Sequence, residues 1–261
     1  MLNHDDFLDH IEWLLNEGET DRATALCRKG LRRFPKDQQL WYLLGDSLLD
    51  SGKLSQAEEA FKNASEIKSD WALPLAKRAE TLAAMGQTRK AEGLALKSYS
   101  MDRDNPYTNF VRAILYELGG DYDVALFFYR RAERLDPEAY FAPVVVNHEE
   151  FMEAFEVARE QLKDSSLDLG DLDEIRWLVL ERVDEEIPEL KRVSPMAPCH
   201  FVATDDGRDV DDEFLEDDLD IPREPRVVEL GFVFKRNILR VCRNKEDLYT
   251  QIYLCLLEEL E

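Results

Sequence analysis

Two cysteines and a histidine in the second half of the chain are the residues best suited by type to hold a metal ion. Cys199 and His200 are adjacent and Cys242 follows later, so the three could bind a metal if folding brought them together. Zinc ligands usually come in pairs spaced by a short turn, and no second pair is present. We therefore expect these three residues to be structural and the chain to hold no metal.

The sequence shows none of the usual signatures of nucleophilic or phosphate chemistry. No glycine-rich phosphate loop is present, and no Ser-His-Asp arrangement can be argued from four scattered histidines: His4, His10, His148 and His200. The remaining cysteines, Cys27 and Cys255, form no C-x-x-C pair, and the first residues lack the basic region of a signal peptide. We predict no catalytic residue, no cofactor and reduced thiols in a cytoplasmic protein.

Acidic residues dominate a segment near the end of the chain. A calcium loop beginning at Asp209 would place Phe214 where a glycine must make the sharp bend, so that motif fails. We predict instead a disordered acidic loop over about residues 204–221. Its carboxylates are Asp205, Asp206, Asp209, Asp211, Asp212, Glu213, Glu216, Asp217, Asp218 and Asp220.

Net charge limits the classes of partner. The formal charge of the chain is -23, of which residues 1–140 contribute -5 and residues 141–261 contribute -18. So acidic a protein repels phosphate backbones and anionic membrane surfaces, which argues against nucleic acid and membranes as partners. The change in charge also favours a domain boundary near residue 140.

A 34-residue period organises the first 140 residues. Units begin at His4, Gln38, Ala72 and Pro106. Every unit carries an alanine and a glycine at fixed places: Ala23, Ala57, Ala91 and Ala125, and Gly18, Gly52, Gly86 and Gly120. Glycine suits a tight turn and alanine lets helices approach closely, so the period predicts eight antiparallel helices. Trp41 is expected to be buried between the first two units.

This pattern resembles the tetratricopeptide repeat family over residues 4–139. The best-matching stretch is 41–64, with Trp41, Leu44, Gly45, Ala57, Phe61 and Ala64. The resemblance implies an all-α superhelical array over residues 1–140 whose concave groove binds another protein or peptide. A generic helical bundle, or an array that binds nothing, are the alternatives.

In that family the first helix of each unit lines the groove. Its fifth position here holds Leu8, Tyr42, Ala76 and Phe110, and its ninth holds Glu12, Asp46, Glu80 and Ile114. Three acids beside two aromatic rings would repel a carboxylate and attract a basic segment with an apolar anchor. These eight residues are our predicted partner-binding site. The alternative is that the acids are simply solvated.

The second half, residues 147–261, is predicted to be a smaller α+β domain. Helical spacing begins near Phe151, and strands are expected near 201–203 and 227–234, while 174–183 suits either a helix or a strand. Residues 234–240, 245–248, 252 and 256–257 resemble minimal zincin-fold metallopeptidases. That family carries His-Glu-x-x-His on its last helix, but here Glu258 occupies the position of the first histidine and the chain ends at Glu261, one residue before that of the second.

The favoured interpretation is therefore a protein-interaction scaffold with a degenerate, catalytically inactive zincin-like domain. One alternative is a zinc metallopeptidase with an atypical or truncated metal site, and an unrelated α+β domain is another. A third hypothesis gives the acidic segment a role: it occupies the chain's own groove or the surface of a basic partner.

Overall fold

The computed structural model describes residues 4–163, 175–183, 187, 190–191, 193–203 and 228–260. It contains two compact units, Met1–Ala142 and Pro143–Glu261. The predicted acidic loop at 204–221 lies outside the described residues.

The first unit is an array of four helix pairs. Eight helices fall in the predicted 34-residue pattern, and successive helices pack against each other. Two of the first helices also contact the next first helix: α1 contacts α3, and α5 contacts α7. The helices are α1 (His4–Asn16), α2 (Thr20–Arg33), α3 (Gln38–Asp50), α4 (Leu54–Ile67), α5 (Leu73–Ala84), α6 (Thr88–Met101), α7 (Pro106–Gly119) and α8 (Tyr122–Leu135).

The turn within each pair is the same structure repeated four times. Gly18, Gly52, Gly86 and Gly120 have φ values of 73°, 69°, 72° and 87°. This left-handed conformation strains any residue with a Cβ, which is why glycine recurs there. The residue after each glycine donates its N–H to a carbonyl one turn back, as Lys53 does to Leu48 at 2.8 Å. The turns thus end each first helix with a Schellman motif.

Close helix packing explains the small residues of the repeat. Ala23, Ala57 and Ala91 are fully buried. A Cβ added at Gly45 would lie 2.5 Å from Cε1 of Phe61, so the ring occupies the space that glycine leaves. Phe61 is itself fully buried and fills the gap between the helices of the second pair.

Trp41 departs from the prediction that it is buried. The side chain packs against the core formed by the first two repeats but remains partly exposed. Its indole Nε1 donates to the backbone oxygen of Pro35 at 3.0 Å. The ring lies over the connection between repeats, because this hydrogen bond holds its polar edge toward the loop rather than inside the helix crossing.

The second unit combines helices with a small mixed sheet. The sheet order is β1-β3-β2, with β1 parallel and β2 antiparallel to β3. Residues 174–183, for which the sequence suited a helix or a strand, contain a strand. The elements are α9 (His148–Lys163), β1 (Arg176–Leu180), β2 (Cys199–Ala203), β3 (Val228–Phe234), α10 (Lys235–Leu239) and α11 (Asp247–Leu260).

Apolar side chains cover both faces of this sheet. On one side α9 and α11 form a core that contains Phe151, Phe155, Val233 and Ile252. On the other side Phe232 and Phe234 form a smaller cluster with Leu190. None of the helices in the described part of the chain is long and apolar enough to span a bilayer.

Candidate functional site

The predicted binding residues lie on the first helix of each of the four pairs. We call this surface the first-helix face. It comprises the fifth and ninth positions of α1, α3, α5 and α7: Leu8, Glu12, Tyr42, Asp46, Ala76, Glu80, Phe110 and Ile114.

Accessibility divides these eight residues. Glu12 is exposed, and Leu8, Tyr42, Asp46, Glu80 and Phe110 are partly exposed. Ala76 and Ile114 are only 0% and 1% exposed. These two belong to the helix-packing core because their positions turn toward the neighbouring helices, so they offer a partner no open surface.

A lysine that sequence reasoning did not single out lies among the acids. The Nζ of Lys77, from α5, is 2.9 Å from Oδ1 of Asp46 on α3. It also lies 4.6 Å from the centre of the Tyr107 ring on α7. Burial alone would lower the pKa of Lys77, but the carboxylates of Asp46, Glu80 and Asp50 outweigh it and raise the pKa. Lys77 is therefore a charged ammonium held between carboxylates and an aromatic ring.

Tyrosines complete the polar network of the face. The hydroxyl of Tyr107 donates to the Glu80 carboxylate. Burial, followed by the charge of Glu80, raises the pKa of Tyr107 well above its ordinary value, so the hydroxyl keeps its proton and remains a donor. Burial and the nearby charge of Asp46 likewise raise the pKa of Tyr42.

Aromatic rings run along the same face. Tyr42 packs 5.0 Å from Trp71, and Phe110 packs 5.4 Å from Tyr140, measured between ring centres. Tyr107 joins the second pair at 6.5 Å from Tyr140. The surface therefore carries aromatic rings as well as carboxylates.

The sequence prediction did not include three residues of this network, Lys77, Tyr107 and Tyr140, because the repeat positions on which it was based do not contain them. Lys77 and Tyr107 occupy other positions of the repeat, each one helical turn before a predicted residue, Glu80 and Phe110. Tyr140 follows the last repeat and has no counterpart at the 34-residue period. A search of the helical neighbours of each predicted residue would have found the first two.

The cysteines considered as metal ligands are buried structural residues. Cys199 and Cys242 lie in the core of the second unit, and the thiol of Cys199 donates to the backbone oxygen of Cys255 at 3.0 Å. Burial raises the pKa of Cys242 to about 12 and that of Cys255 to about 11, so both thiols stay protonated. Within the described residues, no three His, Cys, Asp or Glu side chains gather closely enough to hold a metal ion.

The family comparison agrees with the geometry of the first unit. Residues 14–80 match the tetratricopeptide repeat family. The helices continue the same period to Leu135. The first unit is thus a mostly helical array of the tetratricopeptide repeat kind, and the second unit contains a small mixed three-stranded sheet. No curated protein matches the chain.

Several solved structures are similar to part of the chain. A thermophilic TPR protein of Thermus thermophilus, TTC0263, is 21% identical over 52% of this chain and 75% of its own, with a TM-score of 0.48. MamA is 18% identical over 52% and 80%, with a TM-score of 0.45. The Cut9–Hcn1 hetero-tetramer of the APC/C is 17% identical over 62% of this chain and 30% of its own, at 0.49.

Proposed function

We propose that the repeat unit is a scaffold that binds another polypeptide through its first-helix face. The partner segment is rich in arginine or lysine and carries at least one large apolar side chain. The observation that carries this proposal is the excess of carboxylates over ammonium groups among accessible aromatic rings.

The charge balance favours a basic partner. Lys77 faces three carboxylates, those of Asp46, Asp50 and Glu80. Tyr107 donates to Glu80 without neutralising it, because a phenol with a raised pKa carries no charge. Glu12 extends the acidic surface onto α1, where it accepts a hydrogen bond from the uncharged amide of Gln39 at 3.5 Å. The face therefore keeps negative potential that a guanidinium or ammonium would complement.

The aromatic rings supply apolar contact between those charges. Tyr42 and Phe110 are both partly exposed, and each is fixed by a second ring, Trp71 or Tyr140. Rings held in place lose little conformational entropy when a partner packs on them, which makes them good anchors. Tetratricopeptide repeat proteins bind other proteins or peptides, and the Cut9–Hcn1 assembly is one such complex.

The proposal is tested by calorimetric titration of the full chain with three capped peptides of equal length. One alternates arginine and leucine, one alternates glutamate and leucine, and one alternates arginine and serine. We expect the first to bind best, the third to bind more weakly and the second not to bind. Binding of the glutamate peptide at least as tight as that of the arginine–leucine peptide would refute the charge argument.

For the second unit we infer an inactive domain of zincin type. What supports this is the residue at the position of the first zinc-binding histidine, Glu258, which is exposed on α11. A single carboxylate makes no stable zinc site by itself. No observation on the described residues favours the alternative of a working metallopeptidase.

A further inference from the structure

We propose that Lys77 is an internal occupant of the first-helix face, and that a basic side chain of the partner displaces its ammonium on binding. This inference rests on the proposed function, because it concerns the same surface and the same class of partner. It adds that, in the protein without a partner, the ammonium of Lys77 occupies the position where the partner's cation binds.

The surroundings of the Lys77 ammonium match those of a bound cationic ligand. Its Nζ lies 2.9 Å from a carboxylate oxygen of Asp46 and 4.6 Å from the centre of the Tyr107 ring. A carboxylate beside an aromatic face is the combination by which proteins recognise ammonium and guanidinium groups. Three helices, α3, α5 and α7, contribute to this arrangement, so it spans the first-helix face rather than lying along one helix.

Lys77 is also placed where it can leave. Its side chain is 20% exposed and that of Asp46 is 19% exposed, so both side chains keep some contact with solvent, although the Oδ1 atom of Asp46 is itself buried. The lysine stem is long and flexible, and its ammonium is strongly hydrated when released into water. A guanidinium arriving between Asp46 and Tyr107 would replace each contact that Lys77 gives up, and its planar fork can bind the carboxylate through two hydrogen bonds.

The two possible roles of Lys77, a displaced occupant and a purely structural residue, predict different effects when its ammonium is removed. If the partner's cation must first expel Lys77, removal of that ammonium strengthens binding, because the competitor is gone while its carboxylates remain. If Lys77 only stabilises the array, its removal weakens binding or leaves it unchanged. Lys53→Met is the control for the general increase in negative charge. It removes one positive charge, as Lys77→Met does, but from a surface ion pair with Asp21.

The experiment titrates wild type, Lys77→Met and Lys53→Met with the capped arginine–leucine peptide at fixed salt. We expect Lys77→Met to bind about tenfold more tightly than wild type, and Lys53→Met to change affinity by less than about threefold, as long-range screened charge allows. Equal affinities for the two variants, or weaker binding by Lys77→Met, overturns the inference while the proposed function stands. If none of the three proteins, wild type included, binds the peptide, the proposed function itself fails.

A measurement on the wild type covers the case in which Lys77→Met does not fold. Reductive methylation with formaldehyde, followed by mass spectrometry, reports how accessible each lysine amine is. The peptide has no amine, so only the protein reacts. We expect Lys77 to react slowly in the free protein and faster at saturating peptide, with Lys53 unchanged. Slower reaction of Lys77 in the complex would show that the partner covers the lysine without displacing it, and would overturn the inference.

Discussion

The Nε2 atom of His4 lies 2.6 Å from Oδ2 of Asp37, which ties the first residue of α1 to the residue that caps α3. Asp37 at the same time accepts a hydrogen bond from the backbone N–H of Leu40 at 2.7 Å. One carboxylate thus fastens two consecutive first helices. Hydrogen bonds to Asp5 and to Asp37 raise the pKa of His4.

This relationship predicts a pH dependence of stability. Because the folded pKa of His4 lies above its unfolded value of 6.5, the stabilisation is fully present below that value and is lost as pH rises through the folded pKa. The side chain is 36% exposed, so we expect a small effect, under about 1 kcal/mol. Urea unfolding of wild type and His4→Gln between pH 5 and 9 should differ only at the acidic end. His10→Gln, at an exposed position on the same helix, is the control, and equal profiles for all three proteins would contradict the prediction.

The positive φ of the turn glycines predicts opposite effects for two glycine-to-alanine changes. Gly52→Ala forces an alanine into the left-handed region at φ 69° and should destabilise the protein by about 1–2 kcal/mol. Gly93→Ala lies in α6 with open space around the new methyl group and should stabilise by about 0.5–1 kcal/mol. Thermal unfolding would measure both. A shift in the same direction for both variants would be incompatible with this account of the turns.

Two aromatic residues of the second repeat differ in how deeply they are buried. Phe61 is fully buried beneath Gly45, so Phe61→Ala should cost about 3–5 kcal/mol. Trp41 is partly exposed, so Trp41→Ala should cost clearly less, about 1–2 kcal/mol, within the range of ordinary single substitutions. Chemical denaturation compares the two directly, and a larger loss for Trp41→Ala would mean that the indole is buried in solution.

Glu258 gives a prediction about zinc. One exposed carboxylate on α11 does not form a closed site, so we expect the purified protein to contain no stoichiometric zinc and to cleave no peptide bond. Elemental analysis of wild type and Glu258→Ala is the measurement. If wild type contains about one zinc per chain and Glu258→Ala contains none, the protein has a metal site and the metallopeptidase alternative is favoured.

Particular residues show why the sequence predicted the first unit well. Glycine is the residue least strained at φ near 70°, so Gly18, Gly52, Gly86 and Gly120 located every turn within a helix pair, and the prediction of eight helices is confirmed. It was harder to predict which residues at the repeat positions are exposed to solvent. Ala76 and Ile114 share repeat positions with residues that are at least partly exposed, yet neighbouring side chains cover them.

The 34-residue period could not predict the side-chain contacts between neighbouring repeats. The pairing of Lys77 with Asp46 and of Tyr107 with Glu80 depends on how adjacent first helices stack, and no spacing within one repeat encodes it. The second unit has no repeat at all. There the order β1-β3-β2 follows from pairings between distant segments, as between Trp177 and Gly231, which a single sequence does not reveal.

The most direct test of the central claim is the association rate of the arginine–leucine peptide with a variant lacking the acids of the first-helix face. The variant is Glu12→Gln, Asp46→Asn and Glu80→Gln. Its control is Asp21→Asn, Glu59→Gln and Glu66→Gln, an equal charge change on the second helices α2 and α4. Both are compared with wild type at low and high salt, and Phe110→Ala reports the apolar anchor.

Charges at the rim of an interface steer encounter and are screened beyond about 10 Å at 0.1 M salt, whereas buried anchors act on dissociation. We therefore predict that wild type associates more slowly as salt rises, that the first-helix variant associates slowly at every salt concentration, and that Phe110→Ala mainly dissociates faster. The control variant should stay close to wild type. An association rate indifferent both to salt and to the first-helix substitutions would contradict the claim that this face is the binding site.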